Sequence, residues 1–241
     1  MKRIFIFTLV ISIPFILSSA DTHQESNPFQ VYYADPSFST FEKAYESYSN
    51  QLEEDAENNN ARLMLSYLYM LEMERMLEQF EVRMDSLAPN IKFQYANLLL
   101  EIGKYDECIK VYEGLNEEFP DWSCPWRHKG EAYFKTSELE KAEISLQKAI
   151  ATRVEHYDAY VMLAEVQEAM GKYTDALATL ETGFSYKGKD IEDTEKEITD
   201  LDVQFLYLKI LKLNNMENEY EQLKMKVEKV APDDARWKDI Q

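Results

Sequence analysis

The sequence predicts an all-α fold made of stacked antiparallel helix pairs, and three observations lead to this prediction. The first is composition, because 6 Gly and 7 Pro in 241 residues are too few for the tight turns of a sheet protein. The second is the abundance of Ala, Leu, Glu, Lys and Met, which lose little free energy on entering a helix. The third is an internal repeat of 34 residues, which is long enough for two helices and their turns.

The repeat is visible as columns of residues that match in size and polarity every 34 positions. One column, Gly103, Ser137 and Gly171, marks the turn inside each pair, as between the predicted helices 91–102 and 105–118. Two further columns hold small residues, one in the first helix of each pair and one in the second. Helices approach closely only where the side chains at the contact are small, so we expect these columns where the two helices meet. The small columns are Ala96, Gly130 and Ala164, and Cys108, Ala142 and Ala176.

Two Ser residues have the spacing of a capping box, in which a Ser and a Glu three positions later close the start of a helix. The pairs are Ser39 with Glu42 and Ser137 with Glu140. The spacing predicts that helices begin at these two Ser residues.

The columns resemble those of the tetratricopeptide repeat (TPR) family. Trp126, Gly130 and Tyr133 stand at that family's spacing in one unit, and Tyr160 and Ala164 repeat it in the next. The resemblance implies a right-handed superhelical solenoid in which the first helix of each pair lines a concave face. The predicted solenoid spans 38–234, with the best repeats at 89–122, 123–156 and 157–190, a degenerate helical pair at 58–88 and a degenerate unit at 191–234.

The start of the chain is predicted to be an export signal. Lys2 and Arg3, an apolar run over 4–17 and small residues at 18–20 together predict a signal peptide over 1–20. The run of 14 residues is shorter than the roughly 20 that a membrane-spanning helix needs, and an uncleaved anchor is the alternative reading. We therefore expect an exported protein, periplasmic or extracellular, with no transmembrane segment after cleavage.

The flanks of the solenoid are predicted to be irregular. Residues 21–37, with Pro28 and Pro36 among polar residues, read as a flexible tether, and 235–241 reads as a tail.

The charge of the chain disfavours several classes of partner. The formal net charge is −19, and removal of 1–20, which holds two basic and no acidic residues, leaves −21. Such a charge repels phosphate backbones and anionic lipid headgroups, so we expect neither nucleic acid nor a membrane surface as partner.

The TPR resemblance implies that a partner protein or peptide lies along the concave face. Aromatic and Arg side chains there are the types that most often carry interface energy, although Tyr69, Phe93 and Phe134 could instead pack between repeats. The residues predicted for this face are Arg62, Ser66, Tyr69, Phe93, Asn97, Arg127, Glu131, Phe134, Val161, Glu165 and Glu168.

The search for catalytic chemistry finds no motif. His23, His128 and His156 are the only His residues, and none has zinc-ligand spacing; neither GxSxG nor a Gly-rich phosphate loop occurs. We expect no enzyme activity, no metal, no cofactor and no small-molecule substrate. The favoured function is an interaction scaffold, and the alternative is a structural or oligomerising envelope component without a dedicated peptide groove.

The two Cys residues of an exported protein could form a disulfide. The repeat places Cys108 early in a second helix and Cys124 at the start of the next first helix. About ten helical residues separate them, roughly 15 Å, whereas a disulfide needs Cα atoms within about 7 Å. We therefore predict two free thiols.

Overall fold

The computed structural model describes residues 27–187 and 200–240, and every regular element within these ranges is helical. The predicted signal peptide 1–20 lies outside the described residues, as do 21–26 of the predicted tether. The chain divides into two compact units, and the boundary falls between Arg83 and Met84.

The described part of the first unit contains three helices: α1 (Pro28–Ala34), α2 (Phe38–Glu54) and α3 (Asn59–Arg83). Helix α1 packs on α2, and α2 packs on α3. The core of the unit is formed where small residues, Ala44 on α2 and Ala61 on α3, let aromatic side chains in between the helices.

Helix α1 corrects the prediction of a flexible tether over 21–37. Pro28 stands in the first turn, where its missing N–H leaves no bond unmade, and the Asn27 side chain accepts from the Phe29 amide at 3.0 Å. Phe29 and Tyr32 are buried. The hydroxyl of Tyr32 donates to Glu72 Oε2 on α3 at 2.8 Å, so a contact 40 residues away orders this segment.

The capping box at the start of α2 lies two residues before the predicted one. Ser37, not Ser39, is the N-cap: its hydroxyl accepts from the Thr40 amide at 3.3 Å, and Thr40 Oγ1 accepts from the Ser37 amide at 3.0 Å. Thr40 accepts the hydrogen bond from the N-cap amide, the role that the prediction gave to Glu42. It can do so because its side chain is also an acceptor and lies three residues after the N-cap.

Helix α3 corrects the prediction of a helical pair over 58–88. A single helix of 25 residues runs through this segment. Tyr69 stands 34 residues before Gly103, where the other units turn, and a Tyr does not readily adopt the left-handed backbone that this turn needs. Since the residues after Tyr69 also favour helix, the helix continues through this position without a turn.

The second unit begins with a short 3₁₀ turn, Met84–Ser86, and continues as antiparallel pairs, each packed on the next. This confirms the predicted fold class. The pairs are α4 (Pro89–Glu101) with α5 (Tyr105–Glu118), α6 (Ser123–Lys135) with α7 (Leu139–Thr152), α8 (Tyr157–Ala169) with α9 (Tyr173–Phe184), and α10 (Asp200–Leu213) with α11 (Glu217–Val230); α12 (Trp237–Ile240) follows.

The columns of small residues lie where prediction put them, at contacts between helices. Ala96, Ala142 and Ala176 are fully buried. A Cβ added to Gly130 would lie 2.6 Å from Cγ of Leu146, closer than real atoms approach. Cys108 and Cys124 form no disulfide in the structure, as predicted.

The turns inside the pairs share one backbone motif. Gly103 and Gly171 have φ of +78° and +75°, and Ser137, in the same column, has φ of +62°. Ser137 is therefore a left-handed turn residue after α6 and does not cap α7, which corrects the predicted capping box with Glu140. In each turn, the amide of the residue after the left-handed position donates a hydrogen bond to the carbonyl five residues before it. This bond satisfies a carbonyl near the end of the first helix. These bonds are Lys104 N to Leu99 O, Glu138 N to Tyr133 O and Lys172 N to Gln167 O, all 2.8 Å.

The last pair departs from the 34-residue period. The second helices α5, α7 and α9 begin 34 residues apart, but α11 begins 44 residues after α9. The turn between α10 and α11 nevertheless keeps the same motif, with Asn215 at φ of +59°. Asn tolerates the left-handed region better than most residues with a side chain.

Helix α12 corrects the prediction of a tail over 235–241. Ile240 is buried in the core of the last pair, and the indole N–H of Trp237 donates to the Ala231 carbonyl at 2.8 Å. The Trp237 ring contacts Phe205 edge-on at 4.9 Å between centroids. The segment therefore packs on α10 and covers apolar surface there.

Candidate interaction surface

In the second unit, the first helices of the pairs lie together on one side. Helix α4 contacts α6, α6 contacts α8, and α8 contacts α10, whereas contacts between consecutive second helices are weaker. A stack of pairs is concave on the side where its helices are closest. We call the surface that α4, α6, α8 and α10 expose on this side the inner face.

Two of the residues predicted for this surface are buried instead. Phe93 is 5% exposed and contacts the rings of Trp122 and His128, with centroids 4.9 and 5.2 Å away. Val161 is 3% exposed and belongs to the core between α8, α9 and α10. Packing between repeats, the alternative reading for Phe93, is what the structure shows.

Six predicted residues are partly exposed on the first helices of the second unit: Asn97, Arg127, Glu131, Phe134, Glu165 and Glu168. Asn97 accepts a hydrogen bond from the Tyr112 hydroxyl at 2.7 Å, which ties α4 to α5. Glu168 lies one turn beyond Glu165 on α8. The structure thus keeps α6 and α8 as the centre of the predicted surface.

Arg62, Ser66 and Tyr69 belong to the first unit and are exposed there. They lie on α3, which is the second helix of the α2–α3 pair and not a first helix as predicted. The predicted register does not hold here because α3 continues through position 69, where the equivalent positions of the later units turn.

Ion pairs occupy most of the charges on the inner face. Arg127 Nη1 donates to Glu131 Oε2 at 3.0 Å within α6. Lys209 Nζ, on α10, donates to Glu168 Oε2 on α8 at 2.8 Å and so links two pairs of helices. These partly exposed pairs contribute little to stability, but they fix the side chains of this face.

Glu165 lies among these pairs with neither a hydrogen bond nor an ion pair to any described residue. Burial raises the pKa of its carboxyl, and the neighbouring charges of Glu168 and Glu131 act in the same direction. Lys135 and Lys209 oppose the rise. Glu165 is therefore a partly exposed acid whose surroundings disfavour its charged form.

Sequence reasoning missed Lys135 and Lys209 as members of this surface. Lys209 occupies the position on α10 that Glu165 occupies on α8, but 44 residues on instead of 34. Gly171 and Asn215, which both form left-handed turns and lie 44 residues apart, are the feature of the sequence that could have revealed this longer interval.

A buried polar contact joins the starts of α6 and α8. The hydroxyl of Ser123 donates to the Ala149 carbonyl at 2.9 Å, and Nδ1 of His156 lies 2.6 Å from Oγ of Ser123. Burial lowers the pKa of His156 to about 2, and the nearby Arg153 and Arg127 act in the same direction. Burial thus favours the neutral form of His156, whose ring lies in the contact between repeats.

The structure gives no support to catalytic chemistry in the residues that it describes. No group of three or more His, Cys, Asp and Glu is arranged there to hold a metal ion. A shallow cavity of about 350 Å³ between α7 and α9 is lined by uncharged side chains, among them Ile150, Tyr160 and Leu163. Over the same ranges, no helix has both the length and the apolar character needed to cross a membrane.

The fold and the inner face together define a class of protein, the solenoids of helical hairpins that present a groove along their first helices. The tetratricopeptide repeat model matches the sequence over residues 92–121 and 158–182. These two matches show tetratricopeptide repeats within the second unit of the chain. No curated protein matches it.

Solved structures show the same fold at low sequence identity. Pseudomonas aeruginosa PilF is 15% identical, with a TM-score of 0.57 over 89% of this chain and 95% of that one. PilW, a type IV pilus biogenesis factor, is 17% identical, with a TM-score of 0.57 over 91% and 99%. YrrB, a TPR protein with an unusual peptide-binding site, is 16% identical, with a TM-score of 0.50 over 78% and 77%.

Proposed function

We propose that the protein is an exported interaction scaffold, and that the inner face of the second unit holds a segment of a partner protein. TPR proteins generally act as scaffolds rather than enzymes, and the exposed side chains of the inner face offer contacts without catalytic chemistry. The fold thus supports protein or peptide binding as the class of function.

Glu165 is the observation that carries the proposal. Glu165 is partly exposed, but its surroundings disfavour the charged carboxylate, which has no hydrogen-bond partner among the described residues. The carboxylates on either side, Glu131 and Glu168, already have Arg127 and Lys209 as partners. A Lys, an Arg or a backbone N–H of a bound segment would give Glu165 the partner that it lacks.

Phe134 supplies apolar contact area on the same helix as Glu131, one turn further along. An aromatic ring beside charged groups is a composition typical of the centre of interfaces. A bound segment that places a cation near Glu165 and an apolar side chain near Phe134 would use both.

Affinity capture from native extract tests the proposal. The variant Phe134→Ala/Glu165→Gln should lose a specific partner that the wild-type chain retains, since both contacts are removed. The matched control is Ile144→Ala/Glu140→Gln on α7, where both side chains are exposed on a second helix. Loss of the partner in the control, with retention in the inner-face variant, would contradict the proposal.

Export is the second part of the proposal and rests on the sequence of 1–20. Cell fractionation followed by mass spectrometry of the N-terminus should find a chain that begins at Asp21 outside the cytoplasm. A cytoplasmic chain that retains residues 1–20 would reject it.

A further inference from the structure

The first unit carries a surface of exposed aromatic side chains, which we call the aromatic patch. It consists of Phe38, Phe41 and Tyr45 on α2 and Tyr69 on α3. Phe38, Tyr45 and Tyr69 are 69%, 38% and 52% exposed. Large apolar side chains that are exposed singly are ordinary, but a contiguous set of this kind marks an interaction surface.

Three rings of the patch, those of Phe41, Tyr45 and Tyr69, contact one another. Tyr69 contacts Tyr45 and Phe41 edge-on, each at 6.0 Å between centroids, and Phe41 stacks on Tyr45 at 6.3 Å. Phe41 also meets the buried ring of Tyr32 at 6.0 Å, which anchors the three rings in the core. Because these rings already pack on one another, they lose little side-chain entropy when a partner binds.

The charge around the patch selects the kind of partner. Residues 27–83 contain eleven acidic and four basic side chains, a net charge of −7. Glu42 and Glu46, which directly follow Phe41 and Tyr45, are exposed. Arg62 lies two turns from Tyr69 on α3, and its guanidinium donates to the Ala56 carbonyl. The field at the patch therefore favours cations.

We propose that the aromatic patch docks a segment of a partner protein that presents Lys or Arg beside apolar side chains. A cation is attracted to the electron-rich face of an aromatic ring as well as to the surrounding carboxylates. The apolar side chains of the segment would cover ring surface that is now in water. This surface lies in the first unit and uses none of the inner-face residues, so it can be tested separately from the proposed function.

Binding of two synthetic peptides to the full chain tests the proposal. One peptide alternates Leu and Lys, and the other has Glu in place of every Lys. We expect the Leu–Lys peptide to bind in titration calorimetry and the Leu–Glu peptide not to bind. The variant Tyr45→Ser/Tyr69→Ser should weaken the Leu–Lys peptide by about tenfold or more, because it removes ring area at the centre of the site.

The Tyr variants separate ring contact from simple attraction of a polycation, because they leave the net charge of the chain unchanged. Tyr45→Phe/Tyr69→Phe keeps the rings and should keep the affinity, and Ile144→Ser in the second unit should have no effect. Equal affinity of the wild-type chain and the Tyr45→Ser/Tyr69→Ser variant would overturn the proposal, as would equal affinity for the two peptides. If circular dichroism shows that the double variant is unfolded, Tyr69→Ser alone, at the more exposed ring, provides the same comparison.

Discussion

At the scale of single residues, the turn inside each helix pair depends on a backbone conformation that few residues tolerate. Ser137 adopts φ of +62° where the equivalent residues are Gly103 and Gly171. The left-handed conformation costs an L-residue about 1–2 kcal/mol, and Gly loses about 0.5–1 kcal/mol more entropy on folding. Ser137→Gly should therefore raise the free energy of unfolding by about 0.5–1 kcal/mol in urea titration. Gly171→Ser is the matched control and should lower it; a lowered value for Ser137→Gly would contradict the assignment of this turn.

His156 gives a second prediction at this scale. Its pKa in the folded chain, about 2, lies below the ordinary value of 6.5, so the unfolded chain binds the proton more readily. The contribution of His156 to stability is complete above about pH 6.5 and is lost as pH falls below it, by up to about 1.4 kcal/mol per unit. Unfolding measured between pH 8 and pH 5 should show this loss in the wild-type chain. The difference between wild type and His156→Gln should shrink as pH falls, and a difference that stays constant would refute the role given to His156.

At the scale of helices, two glycines inside helices predict opposite effects of the same substitution. Nothing lies within 4 Å of a Cβ added to Gly114 on α5, whereas one added to Gly130 on α6 would meet Leu146 at 2.6 Å. Gly114→Ala should stabilise the chain by about 0.5–1 kcal/mol, because Ala loses less backbone entropy in a helix. Gly130→Ala should destabilise it by about 1–3 kcal/mol through overpacking. Thermal melting of both variants checks the ranking, and the reverse order would mean that α6 and α7 do not meet at Gly130.

The sequence predicted the helices of the second unit well where the 34-residue period holds. The prediction failed for segments whose structure depends on long-range contacts. Helices α4 to α9 follow from the columns that contain Ala96 and Cys108. Helix α1 does not, because a helix of seven residues that begins at Pro28 carries too little pattern, and the contact between Tyr32 and Glu72 that orders it spans 40 positions. Ser137 has the spacing of a cap, but the turn chemistry of its column prevailed over that local signal.

At the scale of the whole molecule, the inner face could be predicted only in part. The repeat placed Arg127, Glu131 and Glu165 on the first helices correctly. It could not show that Phe93 is buried against Trp122, because exposed and buried aromatic residues have the same spacing on a short helix. Lys209 was missed because the last pair follows an interval of 44 residues. The acidic excess, by contrast, was readable from composition alone, and it agrees with the negative charge around the aromatic patch.

The central claim is that a partner protein lies along the inner face of the second unit. Site-specific photocrosslinking tests it most directly, with a photoreactive phenylalanine analogue at position 134 on α6 or, as control, at position 144 on α7. Irradiation of native cells should yield a discrete covalent adduct with another protein from position 134 and none from position 144. An adduct from position 144 alone, or none from position 134 under conditions where the partner is captured, would contradict the claim.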